Sequence, residues 1–84
     1  MAKVRIYTTK LCAYCWRAKH LLARKGIAYE EIDVSGDDQA RAWLVEASGG
    51  RRTVPQIFIE DRSIGGFEEL AALERSGELE RLLA

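Results

Sequence analysis

Cysteine, proline, histidine and methionine are all scarce in this chain of 84 residues, at two, one, one and one. Net charge is absent as well, because 13 basic residues balance 13 acidic ones. Neutrality argues against broad electrostatic capture of nucleic acid or an anionic membrane. No apolar run approaches the roughly 20 residues of a membrane span. The opening "MAKVRIY" passes straight into a strand pattern, without the apolar core of a signal peptide. The cytoplasm is therefore the expected location, and neither nucleic acid nor membrane is an expected partner. A secreted domain of this size would draw on several scattered disulfides. Here Cys12 and Cys15 are almost adjacent, and a bridge between them would close too short a loop to restrict the unfolded chain. A closed zinc site needs four ligands, usually Cys or His. Two cysteines and His20, which lies mid-helix and points elsewhere, fall short of that, so no metal site is expected. His20 reads as a solvated or edge-of-core side chain.

What is present suffices for one packed domain over residues 1–84. Apolar residues make up 48 % and charged residues 31 %, values typical of a globular chain. "VRIYT" (Val4 to Thr8) alternates around β-branched and aromatic residues and predicts a strand. Cys15 to Lys25 predicts a helix with Ala18, Leu21, Leu22 and Lys25 on one face and Gly26 as its stop. "AYEEIDV" predicts a second strand, with Tyr29, Glu31 and Asp33 on one face and Glu30, Ile32 and Val34 on the other. A strand, helix and strand in some thirty residues form a βαβ unit with parallel strands. "SGDD" opens the next helix, with Ala40, Trp43, Leu44 and Ala47 on one face and Trp43 expected in the core. "PQIFIE" and "RSI" predict an antiparallel hairpin turning at Glu60 and Asp61. "GGFEELAALERSG" predicts a helix with Phe67, Leu70 and Ala71 inward, and "ELERLLA" a short last one. The order β-α-β-α-β-β-α-α implies a four-stranded mixed sheet with helices packed on it.

A Cys-X-X-Cys that ends the first strand and opens the helix of a βαβ unit points to thiol redox chemistry. If the helix starts near Cys12, that sulfur meets the free N–H groups of the first turn and the positive end of the helix dipole, which stabilise a thiolate. Cys12 is then the exposed nucleophile. Cys15, one turn on, is the resolving thiol that attacks a mixed disulfide on Cys12. Pro55, the only proline, stands at a strand entrance, where lacking an N–H costs least.

With "IYTTKLCAYC", "TVPQIFI", "IGG" before an acidic helix start and a closing "SGELERLL", the chain resembles a glutaredoxin of the thioredoxin-fold superfamily, most of all the short bacterial dithiol forms. The resemblance covers nearly the whole chain. It implies an α/β thioredoxin-like fold, βαβ-α-ββ-α, with helices on both faces of the sheet. It implies a glutathione-dependent reductase of protein disulfides and protein–glutathione mixed disulfides, acting as a monomer on those partners with glutathione as reductant. Cys12 and Cys15 would be the catalytic pair. Tyr14 would flank the glutathione. Thr53, Val54 and a cis Pro55 would line it, with the backbone of Val54 pairing with its cysteinyl unit. The helix start at Gly66, Phe67 and Glu68 would take the γ-glutamyl carboxylate. Lys10 and Arg41 would face the glycine carboxylate. The sequence departs from the family pattern in having Ala13 in place of proline, Lys10 one residue nearer the first cysteine, and Glu68 in place of aspartate. It also carries an extra residue near "SGGRR", where Arg51 and Arg52 either attract glutathione's carboxylates or solvate a loop. A second reading, favoured by the small Ala13, is a carrier of a glutathione-ligated [2Fe–2S] cluster bridging two subunits. A third is a thioredoxin-like donor reduced by a flavoenzyme.

Overall fold

Val4–Thr8 forms the first strand, β1, and the helix α1 that follows runs from Ala13 to Arg24. The computed structural model describes residues 2–84. Then come β2 (Glu30–Asp33), α2 (Asp38–Ala47), β3 (Gln56–Ile59), β4 (Arg62–Gly65), α3 (Phe67–Ser76) and α4 (Glu78–Leu83). The order is the one expected. The sheet is arranged β2-β1-β3-β4. β1 pairs in parallel with β2 and antiparallel with β3, and β3 pairs antiparallel with β4. A short hairpin dictates the last pairing, and the α1 crossover dictates the first.

Strand alternation splits the interior into two layers. Val4, Ile6, Ile57 and Ile59 pack with Ala18, Leu21 and Leu22 of α1, Leu70 and Ala71 of α3, and Leu79 and Leu83 of α4. Tyr7, Phe58 and Val34 face the other way and pack with Leu44 of α2. Helices therefore cover both faces. Each fully buried Leu or Ile contributes about 1.5–3 kcal/mol, so the three-helix side holds most of the apolar stabilisation.

Four sequence expectations shift. α1 begins at Ala13, because Cys12 is extended (φ −147°, ψ 105°) and its side chain caps the helix. Lys25, placed on the inner face, is exposed and forms ion pairs with Glu74 and Glu80 at 3.8 and 3.6 Å. Trp43, expected in the core, is 49 % exposed. α2 lies alone on its side of the sheet, and the surface beneath it accommodates only one edge of the indole. That edge meets Tyr7 and Phe58, with ring centroids at 5.5 and 6.2 Å. Ala47, on the same predicted face, is also exposed.

Three conformational details shape the surroundings of the cysteine pair. The β3–β4 register slips at Ile64, since Phe58 faces Ser63 while Ile57 faces Gly65. This bulge feeds directly into α3. Gly65 there has φ +116°, and a Cβ on it would lie 2.9 Å from Glu69 Cγ. The Val54–Pro55 peptide bond is cis.

Candidate active site

The cysteine pair sits where β1 ends and α1 starts. α1 has no acidic residue in its first turn, so nothing there competes for its free N–H groups. The backbone N–H of Cys15 donates to Cys12 Sγ at 3.1 Å. The Cys12 thiol donates in turn to the carbonyl of Val54 at 3.7 Å. Both cysteines are free thiols, Cys12 half-buried and Cys15 buried at 2 % exposure. Burial first, and its hydrogen bond with Cys12 second, push the Cys15 thiol up to about 12. The two sulfurs thus differ in access, Cys12 facing the cleft side and Cys15 lying inside the fold.

From Val54 a cleft of about 340 Å³ runs along Thr53 and Pro55 to the start of α3, walled by Tyr14 and Phe67. The Tyr14 and Phe67 rings lie 6.2 Å apart. Gly66, Glu68, Glu69 and Arg51 complete the lining. Gly66 lets α3 approach closely, since a Cβ there would stand 3.2 Å from the Pro55 carbonyl oxygen. The Gly66 N–H is already bonded to Glu69 Oε1 at 2.8 Å. Among the described residues the N–H groups of Phe67 and Glu68 have no partner, as befits the first turn of a helix.

Of the residues the sequence singled out, the structure gathers Tyr14, Thr53, Val54, Pro55, Gly66, Phe67 and Glu68 on this one cleft, with Cys12 at its head. Two stand apart. The Lys10 ammonium pairs with Asp33 at 3.4 Å, and its backbone N–H donates to Ser35 Oγ at 2.8 Å. The Arg41 guanidinium donates to the Arg52 carbonyl at 3.1 Å. Neither lines the cleft.

Two positioning residues escaped the sequence reading. Glu69 accepts from Gly66 and pairs with Arg51 at 3.4 Å, joining the α3 start to the loop before β3. The Gly66 N–H, then its own backbone N–H and Arg51, hold its carboxyl below the usual carboxylate range. A Glu three residues into a helix that opens on glycine was the available signal. Gln56 is fully buried, and its Nε2 donates to the Thr53 carbonyl at 2.9 Å, bracing the turn that carries Val54. Its Oε1 has no partner among the described residues. No sequence pattern pointed to it. Beneath the pair, Thr8 Oγ1 and Lys19 Nζ both donate to Glu31 Oε2, at 2.8 and 3.0 Å.

Among the described residues no group of three or more His, Cys, Asp or Glu side chains is placed to hold a metal, and no helix is long and apolar enough to cross a membrane. Residues 4–64 match the family model described as Glutaredoxin. The chain is 49 % identical to the glutaredoxin of Pseudomonas aeruginosa over 84 residues, covering 100 % of this chain and 99 % of that one. The solution structure of glutaredoxin from Brucella melitensis superposes with a TM-score of 0.87 at 52 % identity, covering 99 % of this chain and 89 % of that one. The crystal structure of a buckwheat glutaredoxin–glutathione complex superposes with a TM-score of 0.89 at 30 % identity, covering 98 % and 76 %. This chain, with its Cys12–Cys15 pair at the head of α1, belongs to the glutaredoxin family, whose general activity is thiol–disulfide exchange.

Proposed function

We propose that the chain is a glutathione-dependent oxidoreductase that reduces protein disulfides and protein–glutathione mixed disulfides through Cys12 and Cys15. The observation that carries this reading is the Cys15 amide aimed at Cys12 Sγ, at the head of a cleft that ends on unpaired helix N–H groups. Cys12 attacks one sulfur of the substrate disulfide, and the departing thiolate takes up a proton. Cys15, still a thiol at neutral pH, loses its proton as it attacks the Cys12 sulfur of the mixed disulfide. A Cys12–Cys15 disulfide forms, the second substrate thiol leaves, and two electrons have passed to the substrate. Two glutathiones restore the dithiol and leave as glutathione disulfide. On a glutathionylated protein, Cys12 alone suffices, because a second glutathione can release the one held on it.

Glutathione fits the cleft in one direction. Its sulfur lies at Cys12. Its cysteinyl backbone pairs with that of Val54, in the manner of an added strand. Its γ-glutamyl carboxylate reaches the N–H groups of Phe67 and Glu68, where the helix dipole favours an anion. Tyr14 and Phe67 wall the middle. Arg51 is the cation lining the cleft and takes the part expected of Lys10 and Arg41 in drawing in carboxylates. The protein works as a monomer in the cytoplasm, whose glutathione pool is poised close to the potentials of about −200 to −230 mV typical of the family.

The test is turnover of a small disulfide with glutathione and glutathione reductase, set against the same substrate with thioredoxin reductase. Activity in the first mixture alone is expected, and activity only in the second would reject glutathione as reductant. Cys12→Ser should remove all turnover. Cys15→Ser should remove the reduction of protein disulfides and spare deglutathionylation.

A further inference from the structure

We infer that the outward face of α1 beside the cleft docks an acidic polypeptide segment adjoining the reactive cysteine of a protein substrate. The inference rests on the thiol–disulfide reading above. A groove of about 150 Å³, large enough for one side chain, is formed by Trp16, Arg17, His20, Leu21, Arg24 and Phe67. Phe67 lines both this groove and the cleft, so the two adjoin at its ring. Arg17 links them as well, its guanidinium carbon lying 5.4 Å from the Tyr14 ring centroid. Trp16 is 62 % exposed, yet it is held in place by stacking on His20 at 5.1 Å and 8°. A large indole left in water but fixed in orientation is a typical anchor of an interface.

Charge selects the occupant. α1 contains no Asp or Glu. Among the described residues Lys10, Lys19, Lys25, Arg51 and Arg81 each have a carboxylate partner; Arg17 and Arg24 are among the cations that have none, and they are the two that line this groove. In a chain of zero net charge, two unpaired arginines flanking an apolar seat leave their complement to be supplied from outside. A second copy would bring the same arginines face to face across a two-fold axis. Nucleic acid would need a broader run of cations. A polypeptide whose disulfide is presented to Cys12 meets the requirement. Arg17 and Arg24 are separated by a rise of about 10 Å along the helix, which a peptide in the polyproline II conformation, repeating its face every three residues at about 3.1 Å each, covers in about three residues. The favoured segment therefore has two acidic side chains about three residues apart and an apolar side chain between them, seated against Trp16, Leu21 and Phe67.

The experiment compares two glutathionylated peptides of equal length, one with Asp and Glu around a leucine and one with Lys and Arg, alongside a small neutral disulfide. The acidic peptide should show kcat/KM about ten-fold above the basic one at low salt, and the gap should close as salt is added. The Arg17→Glu/Arg24→Glu variant should reverse the preference and leave small-disulfide turnover as it was. Because the reversal is a gain on the basic peptide, loss of folding cannot imitate it. Equal rates on the two peptides, or a preference the variant does not move, overturn the docking surface while leaving the thiol chemistry intact. So does a dimer seen by sedimentation and abolished by the variant, which would make this face a contact between copies. Failure of the unaltered protein on the small disulfide overturns the underlying reading and this inference with it.

Discussion

The backbone N–H of Cys15 reaches the sulfur of Cys12 at 3.1 Å, so the two cysteines are joined before any bond forms between their sulfurs. The donor belongs to the main chain. It stays in place when the Cys15 side chain is replaced, so under the proposed mechanism the first step of exchange should not depend on the second thiol.

Alkylation should separate the two sulfurs. Iodoacetamide at pH 8 is expected to label Cys12 and leave Cys15 unmodified, because Cys15 is buried and its thiol is pushed up to about 12. Peptide mapping after brief labelling checks this, and equal labelling would contradict the assigned roles.

The same shift has a consequence for stability. The folded-state value of Cys15 lies above its ordinary 9.0. Its contribution is therefore fully present below pH 9 and is lost as pH rises toward 12. Melting temperatures measured from pH 8 to 11 should fall less steeply for Cys15→Ser than for the unaltered chain, and parallel curves would refute the assignment.

Glu69 is expected to matter at the opposite end of the scale. Its carboxyl is held below the usual range, chiefly by the Gly66 N–H. Its contribution is present above the unfolded value and fades as pH falls through the folded one. Glu69→Ala should cost about 1–2 kcal/mol at pH 7 and flatten the acid limb of the stability curve. It should also raise the KM for glutathione, since the α3 start and the Arg51 loop lose their tie. Urea unfolding at pH 3, 5 and 7 measures the first effect and steady-state kinetics the second.

Gly65→Ala should be more damaging. The position has φ +116°, and the added carbon would lie 2.9 Å from both Cγ and Oε1 of Glu69. Forcing an L side chain into that region costs on the order of 1–3 kcal/mol, and displacing Glu69 also releases the Gly66 N–H. A loss of stability exceeding that of Gly49→Ala, where nothing lies within 4 Å of the added carbon, is the outcome to look for in thermal melts.

Local periodicity made the βαβ unit, the hairpin and the element order legible, because each is dictated by the spacing of apolar residues over one or two turns. The fate of Trp43 was not legible that way. Its helical phase groups it with Leu44, but how far α2 overhangs the sheet depends on Tyr7 and Phe58, residues remote in sequence. The cleft was legible in part. Tyr14, Pro55 and Phe67 lie within motifs, whereas Arg51 reaches the cleft through a pairing with Glu69 across an 18-residue separation, which no short pattern encodes. Lys10 shows the converse, because its nearest anion is Asp33 on β2, and only the parallel pairing of β1 with β2 brings the two together.

The position of β2 in the sheet order has a bearing on solubility. It is a border strand with one neighbour, β1, and its outer rim of main-chain groups could template another molecule. Three of its four residues are Glu30, Glu31 and Asp33. Two such rims brought together would oppose carboxylates along their length, so stacking of this protein into extended ribbons is resisted by the strand most open to it.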